Sequence, residues 1–107
     1  MAKQTKLEKE LYAKHMHGQK KYGPFSFVKD GKKMTQEVKS ELIDAINYML
    51  YLDIAKNNSK KELLSTSVKD WNAYFQMRLS EVQGYSNRSE NKVYKTIAKL
   101  RDLYESL

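Results

Sequence analysis

Val93, Ile97, Leu100, Tyr104 and Leu107 recur at steps of three and four, and Val68, Trp71, Phe75, Leu79 and Val82 repeat the pattern one segment earlier. Only an α-helix, with its ~3.6 residues per turn, gathers positions so spaced onto one face. Turn formers are too scarce for the alternative. Four glycines and one proline in 107 residues cannot supply the break every ~8–12 residues that a sandwich or barrel needs. The pattern predicts an all-α chain.

The first helix is expected to begin near Lys6, to carry Leu7, Leu11, Tyr12, His15 and Met16 at helical spacing, and to stop at Tyr22 before Gly23-Pro24. Pro24–Lys33 reads as a loop, pinned to the core by Phe25, Phe27 and Val28 and turning at Lys29-Asp30-Gly31. Thr35 is the expected N-cap of a second helix that runs to about Lys56 and ends at Asn57-Asn58. From Leu42 to Ala55 that helix is apolar almost all round, which predicts a central position packed on several sides. Ser59 with Glu62 forms a capping-box pattern, Ser67 with Asp70 resembles another, and Asn87 with Glu90 offers a third. Together these give one domain over residues 1–107, a bundle of about four main helices.

A chain of this length can build one core without staples. It has no cysteine, which removes disulfides and thiolate metal sites and points to a reducing, cytoplasmic home. No apolar run approaches the ~18 residues of a membrane span, and the charged start MAKQTKLEKE lacks an apolar signal core, so neither a membrane nor export is expected. The net charge is +7. Residues 1–57 carry eleven Lys/Arg against seven Asp/Glu and residues 58–107 nine against six, so neither sequence half reads as a basic arm. The balance favours solubility and some affinity for polyanions, nucleotides included.

Chemistry is suggested in one place. Glu37, Glu41 and Asp44 fall at i, i+4 and i+7 on the second helix, stacking three carboxylates along one face, and Asn47, Tyr48 and Tyr51 extend that polar edge. Acids on so apolar a helix need compensation. Two readings stand side by side: the acids face solvent and pair with lysines such as Lys33 or Lys39, or they bind a hard divalent cation such as Mg²⁺, whose sites are shared with phosphate. His15 and His17, two apart, lie on different helix faces and make no shared metal site. GQKKYG lacks the Walker pattern.

The segment HGQKKYGPFSF…EVKSELIDAINYMLYLDIA resembles small phage-type members of the MazG-like, all-α nucleotide pyrophosphohydrolase superfamily. The likeness lies in a lysine-rich first helix ending in KYG, an aromatic-bearing loop and a helix of ELxDAxNY type, and it covers roughly residues 7–55. It implies that Glu41 and Asp44 are the ExxD metal-binding and catalytic pair, with Glu37 as a further ligand. It also implies that Lys20, Lys21 and Tyr22 lie near the substrate phosphates, with Asn47 and Tyr48 as further substrate contacts. The implied reaction is Mg²⁺-dependent hydrolysis of a nucleoside triphosphate to monophosphate and pyrophosphate, in a homodimer. This sequence departs from the superfamily in lacking the second acidic motif, EExxE. Glu37 and Glu41 forming a compressed site, a partner subunit completing it, and a decayed, merely nucleotide-binding site are the three ways to accommodate that.

The alternative is a non-catalytic basic protein of phage type that binds a host protein or nucleic acid through its positive surface, where Lys14, Lys20, Lys21, Lys29, Lys32 and Lys33 are densest.

Overall fold

The computed structural model describes residues 3–23 and 30–107. The described residues are all-α: α1 (Lys6–Tyr22), α2 (Gly31–Asn57), the short α3 (Lys60–Ser65), α4 (Val68–Glu81), a 3-10 turn (Val82–Gly84) and α5 (Lys92–Ser106). The four long helices match the expected class. Contacts group the chain into two compact units, Met1–Thr35 and Gln36–Leu107; the boundary falls after the first turn of α2.

In the first unit, Thr5 caps α1 by accepting the Glu8 N–H at 3.1 Å, and Gly23 ends it with φ 83°, donating its N–H to the Gln19 carbonyl at 2.7 Å. Only glycine adopts that left-handed φ without strain. The expected pinning of Phe25, Phe27 and Val28 lies outside the described residues.

The start of α2 differs from expectation. Asp30, not Thr35, is its cap: the Asp30 carboxylate accepts the Lys33 N–H at 3.0 Å and its carbonyl accepts the Met34 N–H at 2.8 Å. Thr35 lies inside the helix, donating its hydroxyl to the Gly31 carbonyl at 2.8 Å. Aspartate caps as well as threonine does, and the earlier cap lets one more turn propagate.

The second unit builds its core from α2, α4 and α5. Leu50, Val93 and Ile97 are buried together, with Ile46, Met49, Phe75, Val82, Tyr85 and Tyr94 packed against them. The amphipathic stripes read from α4 and α5 thus contribute Phe75, Val82, Val93 and Ile97. The same core corrects the expectation for α2. Its buried stripe is narrow, Leu42, Leu50, Asp53 and Ile54, while Ile43, Tyr51 and Leu52 remain 46, 49 and 42% exposed. Within this unit α4 and α5 cover one side of α2, whatever the apolar content of the other.

Capping was legible at two of the four expected places. Ser59 and Glu62 close a reciprocal box around α3 at 3.1 and 3.0 Å, and Ser67 accepts the Asp70 N–H at 3.1 Å to open α4. At α5 the cap is Asn91, whose Oδ1 accepts the Val93 and Tyr94 N–H groups at 3.0 and 3.3 Å. Asn87 is used elsewhere, donating to Asp102 at 3.3 Å.

Candidate functional site

Glu41 and Asp44 stand one turn apart on α2, both exposed. The buried stripe of that helix turns Leu42, Leu50 and Ile54 toward α4 and α5, and the 3.6-residue period leaves Glu41 and Asp44 off it. Among the described residues neither carboxylate has an ion-pair or hydrogen-bond partner. Glu37, one turn earlier, is also exposed and does interact with a neighbour. The exposure to solvent that one sequence reading gave these acids is what the structure shows, while the lysine pairing of that reading is not seen at Glu41 and Asp44 among the described residues.

The other candidates divide between the two units. Lys20 and Lys21 form the basic last turn of α1 in the first unit, both exposed; Tyr22 is the last residue of that helix, its side chain outside the described set. Asn47 and Tyr48 follow Asp44 on α2. Tyr48 is 71% exposed and meets Tyr51 edge-on, ring centroids 6.1 Å apart. Asn47 is half-buried and lines a groove of about 340 Å³ with Ile43, Ile46, Leu79, Val82 and Tyr104. At Tyr104 the Lys39 ammonium stands 5.2 Å from the ring centroid, a cation–π contact.

Metal chemistry can be tested against this arrangement. Among the described residues no group of three or more His, Asp or Glu side chains is gathered so that it could hold an ion. Glu41 and Asp44 make no closed, all-protein cage. They do fit the looser pattern of Mg²⁺, a hard ion that takes oxygen ligands and is commonly held by one or two carboxylates together with water and substrate phosphate. Two adjacent, exposed carboxylates without partners meet that requirement.

The acid that sequence reading missed is Asp53. It is 3% exposed and forms an ion pair with Arg78 of α4. Its other contact is the Asn57 side chain, which donates to Asp53 Oδ1 at 3.0 Å. Arg78 also donates to Glu81 at 3.1 Å, Glu81 accepts the Tyr85 hydroxyl at 3.1 Å, and Tyr85 stacks on Tyr94 with centroids 4.4 Å apart. Burial works against the Arg78 charge, but Asp53 opposite it, together with Tyr94 and Tyr74, more than offsets that and holds the guanidinium pKa above its ordinary value. Burial, then the bond to Glu81, pushes the Tyr85 phenol well above its usual range. One signal pointed here: an acid inside an apolar helical run needs a cation, and Arg78 is the one arginine on α4.

Arg101 is a second anchor. Its Nη1 donates to the carbonyls of Val82, Gln83 and Tyr85 at 2.9, 3.3 and 2.7 Å, so α5 holds the 3-10 turn in place. Hydrogen bonds from Arg101 keep the Asp102 carboxyl below its ordinary pKa. Both arginines are committed to the fold. Comparison with protein-family models, curated proteins and solved structures found no match for the chain.

Proposed function

We propose that the chain is a MazG-like, Mg²⁺-dependent nucleoside triphosphate pyrophosphohydrolase. One observation carries the reading: Glu41 and Asp44, the ExxD pair of the resemblance, are exposed and without partners among the described residues, whereas Asp53, on the same helix, is buried and neutralised. Two adjacent anionic groups left facing water repel each other, and a bound cation relieves that.

The roles divide as follows. Glu41 and Asp44 would hold Mg²⁺ against the phosphates; Glu37, engaged with a neighbour, is not gathered with them into a three-acid site among the described residues. Bound there, the ion supplies charge neutralisation and a lowered pKa for a nucleophilic water. Asn47 and Tyr48, which follow Asp44 on the same helix, contact the nucleotide. Water adds to the α-phosphorus, the bond to the bridging oxygen breaks, and monophosphate and pyrophosphate result. The pyrophosphate test uses each ribo- and deoxyribonucleoside triphosphate with Mg²⁺. Release is expected for at least one, lost on chelation and reduced by at least about a hundredfold in Glu41→Gln and in Asp44→Asn, as for a charge aimed at the reacting phosphates. Unchanged turnover in both variants removes these acids from the reaction.

The reading includes a homodimer. The exposed apolar side chains of α2 and α5, Ile43, Tyr51, Leu52, Leu103 and Leu107, favour burial against a second copy. Light scattering at micromolar concentration should return twice the 12.6 kDa chain mass; a monomer refutes it.

A further inference from the structure

The two structural units differ in charge far more than the two sequence halves do. Residues 1–35 carry nine lysines against three acids, and residues 36–107 carry eleven Lys/Arg against ten acids. Nearly the whole net charge of +7 belongs to the first unit. Within it, the charge is organised by α1. At about 100° per residue, Lys6, Lys9, Lys14, Lys20 and Lys21 fall on one arc of about 140°, with His17 inside it and Glu10 its single acid. All five lysines and His17 are exposed. Like charges three apart on a helix, such as Lys6 and Lys9, destabilise it, and a polyanion laid along the arc reverses the sign of that term.

We infer that the basic face of α1 is a docking surface for the phosphate backbone of duplex DNA, bound without regard to sequence. The face runs about 22 Å along the axis at ~1.5 Å per residue, and a helix of ~10–12 Å diameter matches the ~12 Å width of the B-form major groove. The major groove of duplex RNA is too narrow for it. A single strand is captured by stacking its bases on aromatic rings, and no Tyr, Phe or Trp lies on the arc; Tyr12 projects from the far side. A lipid surface asks for one continuous apolar face. In α1 that face is split, with Leu7 and Leu11 on one flank, Tyr12 and Met16 on the other, and Glu8, His15 and Gln19 between them. The charged side chains are lysines, point charges suited to phosphate; the bidentate arginine that reads a guanine edge is absent from α1.

The experiment compares two triple variants of the full chain with the same net charge. Lys6→Gln/Lys9→Gln/Lys14→Gln strips the arc and spares Lys20 and Lys21. Lys60→Gln/Lys61→Gln/Lys69→Gln removes three exposed lysines of the second unit. Glutamine keeps helix propensity, and circular dichroism confirms that each variant folds. Binding to a random-sequence duplex of about 20 base pairs is followed by fluorescence anisotropy over a salt series. The parent should bind with a log–log salt slope of about −4.5, from five phosphate contacts at ~0.9 each. The α1 variant should lose at least about tenfold in affinity at ~100 mM salt, with a slope weakened by about 3, while the other variant matches the parent. Pyrophosphate release by the α1 variant is expected to stay at the parent's level, which separates this surface from the acidic site. Equal losses in the two variants, tighter binding to single strands or duplex RNA, binding only to phosphatidylserine vesicles, or no binding to the duplex each overturn the inference.

Discussion

Two stretches of α2 treat their acids in opposite ways. Midway along it, Glu41 and Asp44 face water, without partners among the described residues. Near the end, Asp53 is buried, held by Arg78 and by Asn57, and linked through Arg78 to Glu81 and Tyr85. The helix, the residue type and the local sequence are alike; what differs is the neighbour. Where α4 crosses α2 it brings a guanidinium into a dry contact, and a carboxylate there belongs to the fold. Where no cation is supplied, the carboxylates stay wet and available. Charge alone does not mark a site.

The sharpest way to break this contrast is to remove Asp53. Asp53→Ala strands the Arg78 guanidinium, and a buried pair broken on one side costs about 3–5 kcal/mol. Chemical denaturation should show that loss, while Asp53→Leu with Arg78→Met should recover most of it, because the desolvation penalty leaves with both charges. A cost below about 1 kcal/mol for Asp53→Ala would place Asp53 with the wet acids and dissolve the distinction.

A smaller effect is expected at the far end of the same network. Tyr85→Phe removes the hydroxyl that Glu81 accepts at 3.1 Å and should cost about 1 kcal/mol at neutral pH. The folded-state pKa of Tyr85 is raised above its ordinary 10.0. The stabilisation is therefore complete below pH 10 and is lost as the pH rises through that value toward the folded one, since the unfolded chain releases its proton first. Denaturation midpoints between about pH 9 and 11 should fall more steeply for the parent than for Tyr85→Phe. Parallel curves would show that Tyr85 gains nothing from its burial.

The smallest effect sharpens the comparison from the other side. Glu41→Gln and Asp44→Asn should each change stability by no more than about 0.5 kcal/mol, as for exposed groups outside any network, even where they abolish pyrophosphate release. Stability raised by both would fit two acids that repel each other at the cost of the fold.

Much of the fold was legible because its signals are local. Helical spacing, the Gly23 stop, the Ser59–Glu62 box and the Ser67 cap involve residues within a turn of each other, and the structure realises them. The misplaced caps show the limit. Thr35 and Asp30 are both acceptable caps, as are Asn87 and Asn91, and local preference does not choose between them. At α5 Asn91 is the cap, while Asn87 donates to Asp102 across fifteen residues of chain.

The sequence by itself determined that this protein is helical, where most of its helices start and stop, and which faces of α4 and α5 enter the core. Those properties depend on backbone periodicity and on contacts a few residues apart. Tertiary structure decided the rest: that α4 and α5 pack on one side of α2 within the second unit, that Asp53 and Arg78 meet across a separation of 25 residues, and that Glu41 and Asp44 are left exposed. It also decided that the first 35 residues form the unit carrying nearly all the net charge. The physical reason is common to all four. Whether a charge is paired, hydrated or available depends on what lies beside it in space, and the free energy of a carboxylate changes more with that neighbour than with anything its own helix specifies.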